Sequence, residues 1–332
     1  TEYPIARDLD LMIFEAIESN WKRGVVSGII KGRGQGLSTI GGALTNYFMW
    51  AHPGSKSLIT SKDGKGIEMM FTEKIMATYE RLDEDIKPIE KRRNETKQQS
   101  FFRGEVYFKN KEGKVDVGIS SVICNETSET PRSPTAFSGQ GAIFGFYDEF
   151  PLHTRNRELL LSSIECYKHE GKMKGMLVWG GTVEAQLTNE QIAKFEKLVK
   201  VSEQYKTDII FLPYWMGKNM VNGHSNEKLG RQQWEEELEG LERINDEDGI
   251  RAFKKNNPWT LEDIFALGKG SRWEDDVSDK INFQLQEVKK NPPPLTICKL
   301  VDTTKGVDTF VHKDGKVMIL ENPKEGELYG VM

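Results

Sequence analysis

Up to Tyr214, apolar residues come in short runs that alternate with stretches of helical period. In DLDLMIFEAIESN, Leu9, Met12, Ile13, Ala16 and Ile17 recur every three or four positions and predict an amphipathic helix over 8–20. VVSGII (25–30) has strand character and ends in a cluster of glycines. Residues 38–50 then read as a helix, although Gly41 and Gly42 lower its propensity. A second short strand is expected at 57–60 and a second helix at 67–81. Residues 86–100 are polar and basic and read as a surface segment, and 101–124 alternate as strands about a turn at Asn110–Gly113.

GAIFGFYDEF (141–150) is almost continuously apolar before two acids, as expected of a strand buried on both faces. A helix over 157–172, a buried strand over 174–183, a helix over 189–205 and a strand over 207–214 complete the alternation. The fold class expected is α/β, a mostly parallel sheet with helices on both faces. From Lys218 the apolar strands stop, and 227–257 is charged and helical. Asn291-Pro292-Pro293-Pro294 marks a linker, and 309–322 reads as a hairpin turning at Lys313-Asp314-Gly315. The division expected is a core over 1–217, a helical linker or lid over 218–290 and a linker with hairpin over 291–332.

Composition narrows the class. Charged residues make up 29% and hydrophobic ones 37% of the 332, the balance of a globular chain. No apolar run reaches the length of a membrane span, so no membrane partner is expected. Cys124, Cys166 and Cys298 are too widely spaced for a metal or disulfide framework, which fits a reducing cytoplasm. A net charge of −5 excludes a uniformly basic nucleic-acid coat but leaves room for one basic face.

The chemistry begins at IIKGRGQGLST. A phosphate cradle needs backbone N–H groups that approach closely and the positive end of a following helix. Gly32, Gly34 and Gly36 meet the first need, and the helix from Ser38 meets the second. The common loop GxxxxGK[ST] has a lysine before its hydroxyl residue, and here that position is Leu37. Registered on Gly36 and Ser38, the loop instead opens with Lys31, whose stem is long enough to fold back over the same phosphates. Arg33 adds a forked cation. The nucleotide-binding residues expected are thus Lys31, Gly32, Arg33, Gly34, Gln35, Gly36, Leu37, Ser38 and Thr39, with ATP and Mg²⁺ as ligands. The plain alternative is a glycine-rich turn with solvated cations. Asp148 and Glu149, at the end of the buried strand, match a Walker B pair: Ser38 and Asp148 would hold Mg²⁺ and Glu149 would polarise water. Trp179-Gly180-Gly181-Thr182 ends the next buried strand, where Thr182 can touch the glutamate or the γ-phosphate.

With these three motifs in order, the chain resembles the ATPase domain of the large terminase subunit of tailed bacteriophages and herpesviruses. Several members of that family carry the deviant loop in which lysine comes first. In a further similar segment, 251–265, a basic stretch and an Asn-Pro pair precede a helix start at Thr260, with Asp263 placed to cap it. The resemblance implies a RecA-like, additional-strand P-loop core and a motor that hydrolyses ATP to translocate double-stranded DNA into a procapsid. It implies, as partners, a portal protein, a small terminase subunit and a homo-oligomeric ring, in the host cytoplasm. Thr182 would couple hydrolysis to movement. Two departures stand out. The approach to a nuclease domain over 321–332 lacks assignable catalytic acids, so an isolated motor portion that cannot cut DNA is expected. Ser138-Gly139 replaces the family's Arg-Gly finger, leaving Arg132 as the first candidate for a finger acting from a neighbouring subunit, and Arg155 and Arg157 after it. The rival functions are a nucleotide-gated assembly protein with little hydrolysis and a helicase-like ATPase.

Overall fold

The structure is a computed structural model that describes residues 7–96, 101–109, 112–126, 141–153, 155–184, 187–218, 220–222, 224–265, 296–303, 306–311 and 317–319. The chain divides into two compact units, Thr1–Gly268 and Lys269–Met332.

In the first unit, α1 (Asp8–Arg23) leads into β1 (Val26–Lys31), the glycine loop and α2 (Leu37–Ala51). After β2 (Lys56–Ser61), the single helix expected over 67–81 is split into α3 (Gly64–Met69), a π-helical stretch (Met70–Met76) and α4 (Ala77–Glu80). β3 (Ile89–Thr96), β4 (Phe101–Lys109) and β5 (Val115–Glu126) follow. The basic segment expected at the surface, 86–100, is largely β3. It forms one edge of the sheet, where exposed Lys91, Arg92 and Arg93 discourage further strand pairing.

β6 (Phe144–Tyr147) precedes α5 (Asn156–Ser163). The helix expected to reach 172 stops there, giving way to a 3₁₀ turn (Ile164–Tyr167) and a small hairpin of β7 (Lys168–His169) and β8 (Lys172–Met173). Glu170 and Gly171 both take positive φ at its tip, which a helix does not permit. β9 (Met176–Gly181), α6 (Asn189–Lys200) and β10 (Thr207–Leu212) complete the sheet. A short hairpin, β11 (Met220–Val221) with β12 (His224–Ser225), leads to α7 (Glu227–Arg243), α8 (Glu247–Asn256) and α9 (Leu261–Phe265). These helices, expected in a subdomain over 218–290, belong to the first unit. α9 starts as the sequence predicts: the Asp263 carboxylate accepts from the Thr260 N–H at 2.8 Å.

The sheet order is β10-β1-β9-β6-β2-β5-β4-β3. The six strands from β10 to β5 run parallel, and β4 is antiparallel to both its neighbours. β9 lies between the loop strand β1 and the acid strand β6, which is the inserted-strand arrangement of a RecA-like α/β core. Alternate side chains supply the two cores. Ile29, Ile59, Phe146 and Val178 pack with α1, α2 and the π-helical stretch, whereas Ile30, Leu58, Tyr147 and Trp179 pack with α5, α6 and α9.

The glycine pair in α2 has a packing reason. A β-carbon on Gly42 would lie 2.7 Å from the Lys74 carbonyl oxygen, and one turn on, the Asn46 side-chain amide donates to the Ile75 carbonyl at 2.8 Å. Alanine would favour the helix by about 1 kcal/mol, but overpacking against backbone costs roughly 1–3 kcal/mol. Gly42→Ala is therefore expected to lower the melting temperature, and a higher one would show that the two helices do not press together here.

In the second unit, β13 (Thr296–Thr303) is flanked by β14 (Gly306–Val311) and β15 (Val317–Ile319), antiparallel to both. The two strands of the expected 309–322 hairpin thus pair with β13 rather than with each other. The expected turn at 313–315 and the proline linker at 291–294 lie outside the described residues.

Candidate functional site

The carboxyl ends of β1, β6 and β9 meet at a cavity of about 280 Å³ lined by Lys31, Arg33, Ser38, Asp148, Glu149 and Thr182, among others. The ligand crevice of an open parallel sheet lies at this end. Each side chain is placed by local structure. Gly36 has φ 84°, a left-handed value open to glycine, and turns the loop into α2 so that Leu37 enters the core while Ser38 faces the cavity. The Gln35 side chain is buried and braces the loop: it accepts from the Gly32 N–H at 3.0 Å and donates to the carbonyls of Pro213 and Met216, both at 2.8 Å. Thr39 N–H donates to the Gly36 carbonyl within the first turn of α2.

The Ser38 hydroxyl donates to the Asp148 carboxylate, with oxygens at 2.9 and 3.1 Å. Burial pushes the Asp148 carboxyl up to about 6, and neighbouring Glu149 pushes the same way, against the Ser38 hydrogen bond and the Lys31 charge. Among the described residues no group of three His, Cys, Asp or Glu side chains is placed to hold a metal. A hydroxyl and a carboxylate this close nevertheless fit a hard cation that completes its shell with water and phosphate oxygens.

Lys31 lines the cavity, its ammonium donating to Thr182 Oγ1 at 3.4 Å and to the Gly32 carbonyl at 3.2 Å. Burial holds its pKa below the usual lysine value, offset in part by Asp148 and Glu149. Arg33 points instead to Glu184, 2.8 Å away.

Glu149 has φ 51° and ψ 33°, an uncommon left-handed conformation for a residue with a side chain. Gly181 accommodates it, because a β-carbon there would come within 2.9 Å of Glu149 Cα. The Glu149 carboxylate lies 3.4 Å from the Lys62 ammonium and accepts from the Ser61 hydroxyl at 3.5 Å. Behind the pair, buried His153 donates its Nε2–H to the Asp148 carbonyl at 3.1 Å. Burial lowers its pKa to about 4, so it is neutral near pH 7.

The structure therefore brings Lys31, Ser38, Asp148, Glu149 and Thr182 together. Of the finger candidates, Arg132 lies outside the described residues. Arg155 is exposed at the start of α5, and Arg157 donates to the Tyr205 hydroxyl at 2.9 Å in a separate cavity. Sequence reasoning missed Ser61, Lys62, His153 and Glu184. Lys62 had one available signal, its place directly after β2, the strand paired with the acid strand.

No protein-family model and no curated protein matches the sequence. Among solved structures, the chain is similar to the large terminase of a thermophilic bacteriophage, with a TM-score of 0.45 and 10% identity over 70% of this chain and 50% of that one. It is also similar to the ATPase domain of the Thermus phage P74-26 large terminase, with a TM-score of 0.43 and 14% identity over 70% of this chain and 87% of that one. The chain spans half the length of the first of these two proteins.

Proposed function

We propose that the chain is an ATPase of the large-terminase kind, hydrolysing ATP to move double-stranded DNA into a procapsid. The observation that carries the nucleotide reading is the meeting of Lys31, Ser38, Asp148 and Glu149 on one cavity at the end of the sheet where β9 separates β1 from β6. The Gly32 and Arg33 amides already donate to Gln35 and Asn256, so the loop amides from Gly34 onward and Lys31 would bind the phosphates. Ser38 with Asp148 would hold Mg²⁺, which would neutralise phosphate charge. Glu149 would orient water and take its proton, and Thr182, already touching Lys31, would register loss of the γ-phosphate. Among the described residues, Arg33 is the arginine that lines the cavity, and it is paired with Glu184. This favours a finger brought by a neighbour in a homo-oligomeric ring, with Arg132 the first candidate. Portal protein, small terminase subunit, DNA and a host-cytoplasmic setting belong to the same proposal.

The register of the loop is the direct test. Lys31→Ala is expected to weaken Mg²⁺–nucleotide binding by one to two orders of magnitude, since it removes a desolvated charge-assisted contact worth roughly 1.5–3 kcal/mol. Leu37→Lys is expected to give no tighter binding and to lower stability. Leu37 is buried, and a β-carbon on Gly180 would lie 2.4 Å from its Cδ2, so a lysine there would bury an unpaired charge. Equal and opposite effects of the two changes in a fluorescent-nucleotide titration would overturn the register.

A further inference from the structure

A third cation stands beside the phosphate loop, on the segment that follows β10. β10 runs parallel to β1 with Leu212 opposite Lys31, so its following segment emerges at the same end of the sheet as the loop. The two are laced together, since the Gln35 amide donates to the Pro213 and Met216 carbonyls and the Arg7 guanidinium bridges the Gln35 carbonyl, at 3.0 Å, and the Gly217 carbonyl, at 3.5 Å. This places Lys218 over the outer side of the loop, with its Cε 3.7 Å from where a β-carbon on Gly34 would be.

Among the described residues, the direct partners of the Lys218 ammonium are neutral. It donates to Asn257 Oδ1 at 2.8 Å and lies 4.8 Å from the centre of the Tyr214 ring. Lys218 is exposed as a residue, but partial burial of its ammonium lowers its pKa, with the charge of Glu237 acting the other way. Arg33, by contrast, is neutralised by Glu184. Lys218 is close enough to Lys31 to lower that lysine's pKa, together with Arg33 and after burial, the largest cause. Arg33 is paired with Glu184, and Asp148 and Glu149 offset part of the burial at Lys31, which leaves the repulsion between Lys31 and Lys218 to be relieved when an anion enters between them.

Asn257 is itself firmly held. Its N–H donates to the Phe253 carbonyl at the end of α8, and its carbonyl accepts from Trp234 Nε1, both at 2.8 Å. The preceding carbonyl, Asn256, accepts from the Arg33 N–H of the loop at 2.9 Å. The Asn257 backbone is thus held at the edge of the loop, its side chain is an uncharged acceptor, and a polyphosphate oxygen would offer Lys218 a stronger, charge-assisted bond.

We propose that Lys218 is a phosphate ligand of the nucleotide site, resting on Asn257 in the free protein and turning across Gly34 to the terminal phosphates when a nucleoside triphosphate binds. The inference rests on the nucleotide reading of the cavity. It adds a cation supplied by the chain itself from outside the loop, and it ties the end of α8 to nucleotide occupancy.

The test is a titration of the full chain with a fluorescent, non-hydrolysable ATP analogue and Mg²⁺, alongside the matching AMP analogue. Lys218→Gln is expected to weaken the triphosphate about tenfold, or about 1.4 kcal/mol, and to leave the monophosphate unchanged. Lys218→Arg should retain most of the affinity, and Asn257→Ala should bind the triphosphate at least as tightly as the unaltered chain. Melting curves without nucleotide should be the same for the unaltered chain and Lys218→Gln. If Lys218→Gln binds normally while Lys31→Ala does not, Lys218 is an ordinary surface lysine and the proposal falls alone. If Asn257→Ala loses as much as Lys218→Gln, the pair is a structural strut and the proposal also falls. If the unaltered chain binds neither analogue, the nucleotide reading and this inference fall together.

Discussion

Replacing Glu149 by glutamine is expected to reduce turnover about 10³-fold, within the range for loss of a general base, while leaving nucleotide affinity within a factor of a few. The separation follows from the division of labour in the cavity. The hydrogen bonds that hold Lys31 to Thr182 and Ser38 to Asp148 do not pass through Glu149. The Glu149 carboxylate, on the same cavity, is held instead by Lys62 and Ser61 at the end of β2. The amide keeps the size of the carboxylate and can still accept from Ser61, but it cannot take a proton from water. Phosphate release and fluorescent-nucleotide binding, measured on the same sample, check both halves. Full turnover in the variant would end the assignment of Glu149, and loss of binding would make it a structural residue. The variant also tests the proposed ring. A Glu149→Gln subunit mixed with an Arg132→Ala subunit should regain activity only where an arginine from the first completes the sound site of the second.

Asp148→Asn is expected to make the nucleotide-free protein more stable and to abolish Mg²⁺-dependent nucleotide binding. The Asp148 carboxyl is buried and its pKa is raised to about 6 from an ordinary 3.8. The folded state therefore holds its proton more tightly than the unfolded state does. Between the two values the folded chain binds more protons, so stability is fullest below pH 4 as far as this group is concerned and declines as pH rises through 6. Above that window the buried charge costs on the order of 3 kcal/mol, which a neutral asparagine avoids while still accepting from Ser38. That cost already includes the favourable charge of Lys31. At pH 7.5 the variant should melt a few degrees higher without ligand and show no shift on adding Mg²⁺ and nucleotide. In the unaltered chain, Mg²⁺–nucleotide binding should strengthen as pH rises through about 6, with the midpoint moving lower at higher Mg²⁺. A variant that melts lower, or that keeps its Mg²⁺-dependent shift, would remove Asp148 from the metal site.

What the sequence determined by itself is what local physics can encode. β1, its glycine loop and α2 are legible because an apolar run, close-approach residues and a helical period follow one another without interruption. β6 with its two acids and β9 with its small residues are legible because strands buried on both faces leave continuous apolar signatures. Lys31 could be singled out because the position before Ser38 is apolar, and the structure gives the reason: Leu37 belongs to the core against Gly180. β3 was hidden because the charges that protect an edge strand are the same ones that mark a solvated loop. α5 was read too long because Glu170 and Gly171 turn the chain within a stretch whose residues also suit a helix. The left-handed turn at Glu149, its pairing with Lys62, the pairing of Arg33 with Glu184 and the approach of Lys218 to Gly34 were decided by tertiary structure alone. The last three join residues from separate strands or loops, and the first is accommodated by Gly181 on the neighbouring strand. Sequence spacing records periodicity along one element, whereas these contacts depend on which strands become neighbours when the sheet forms.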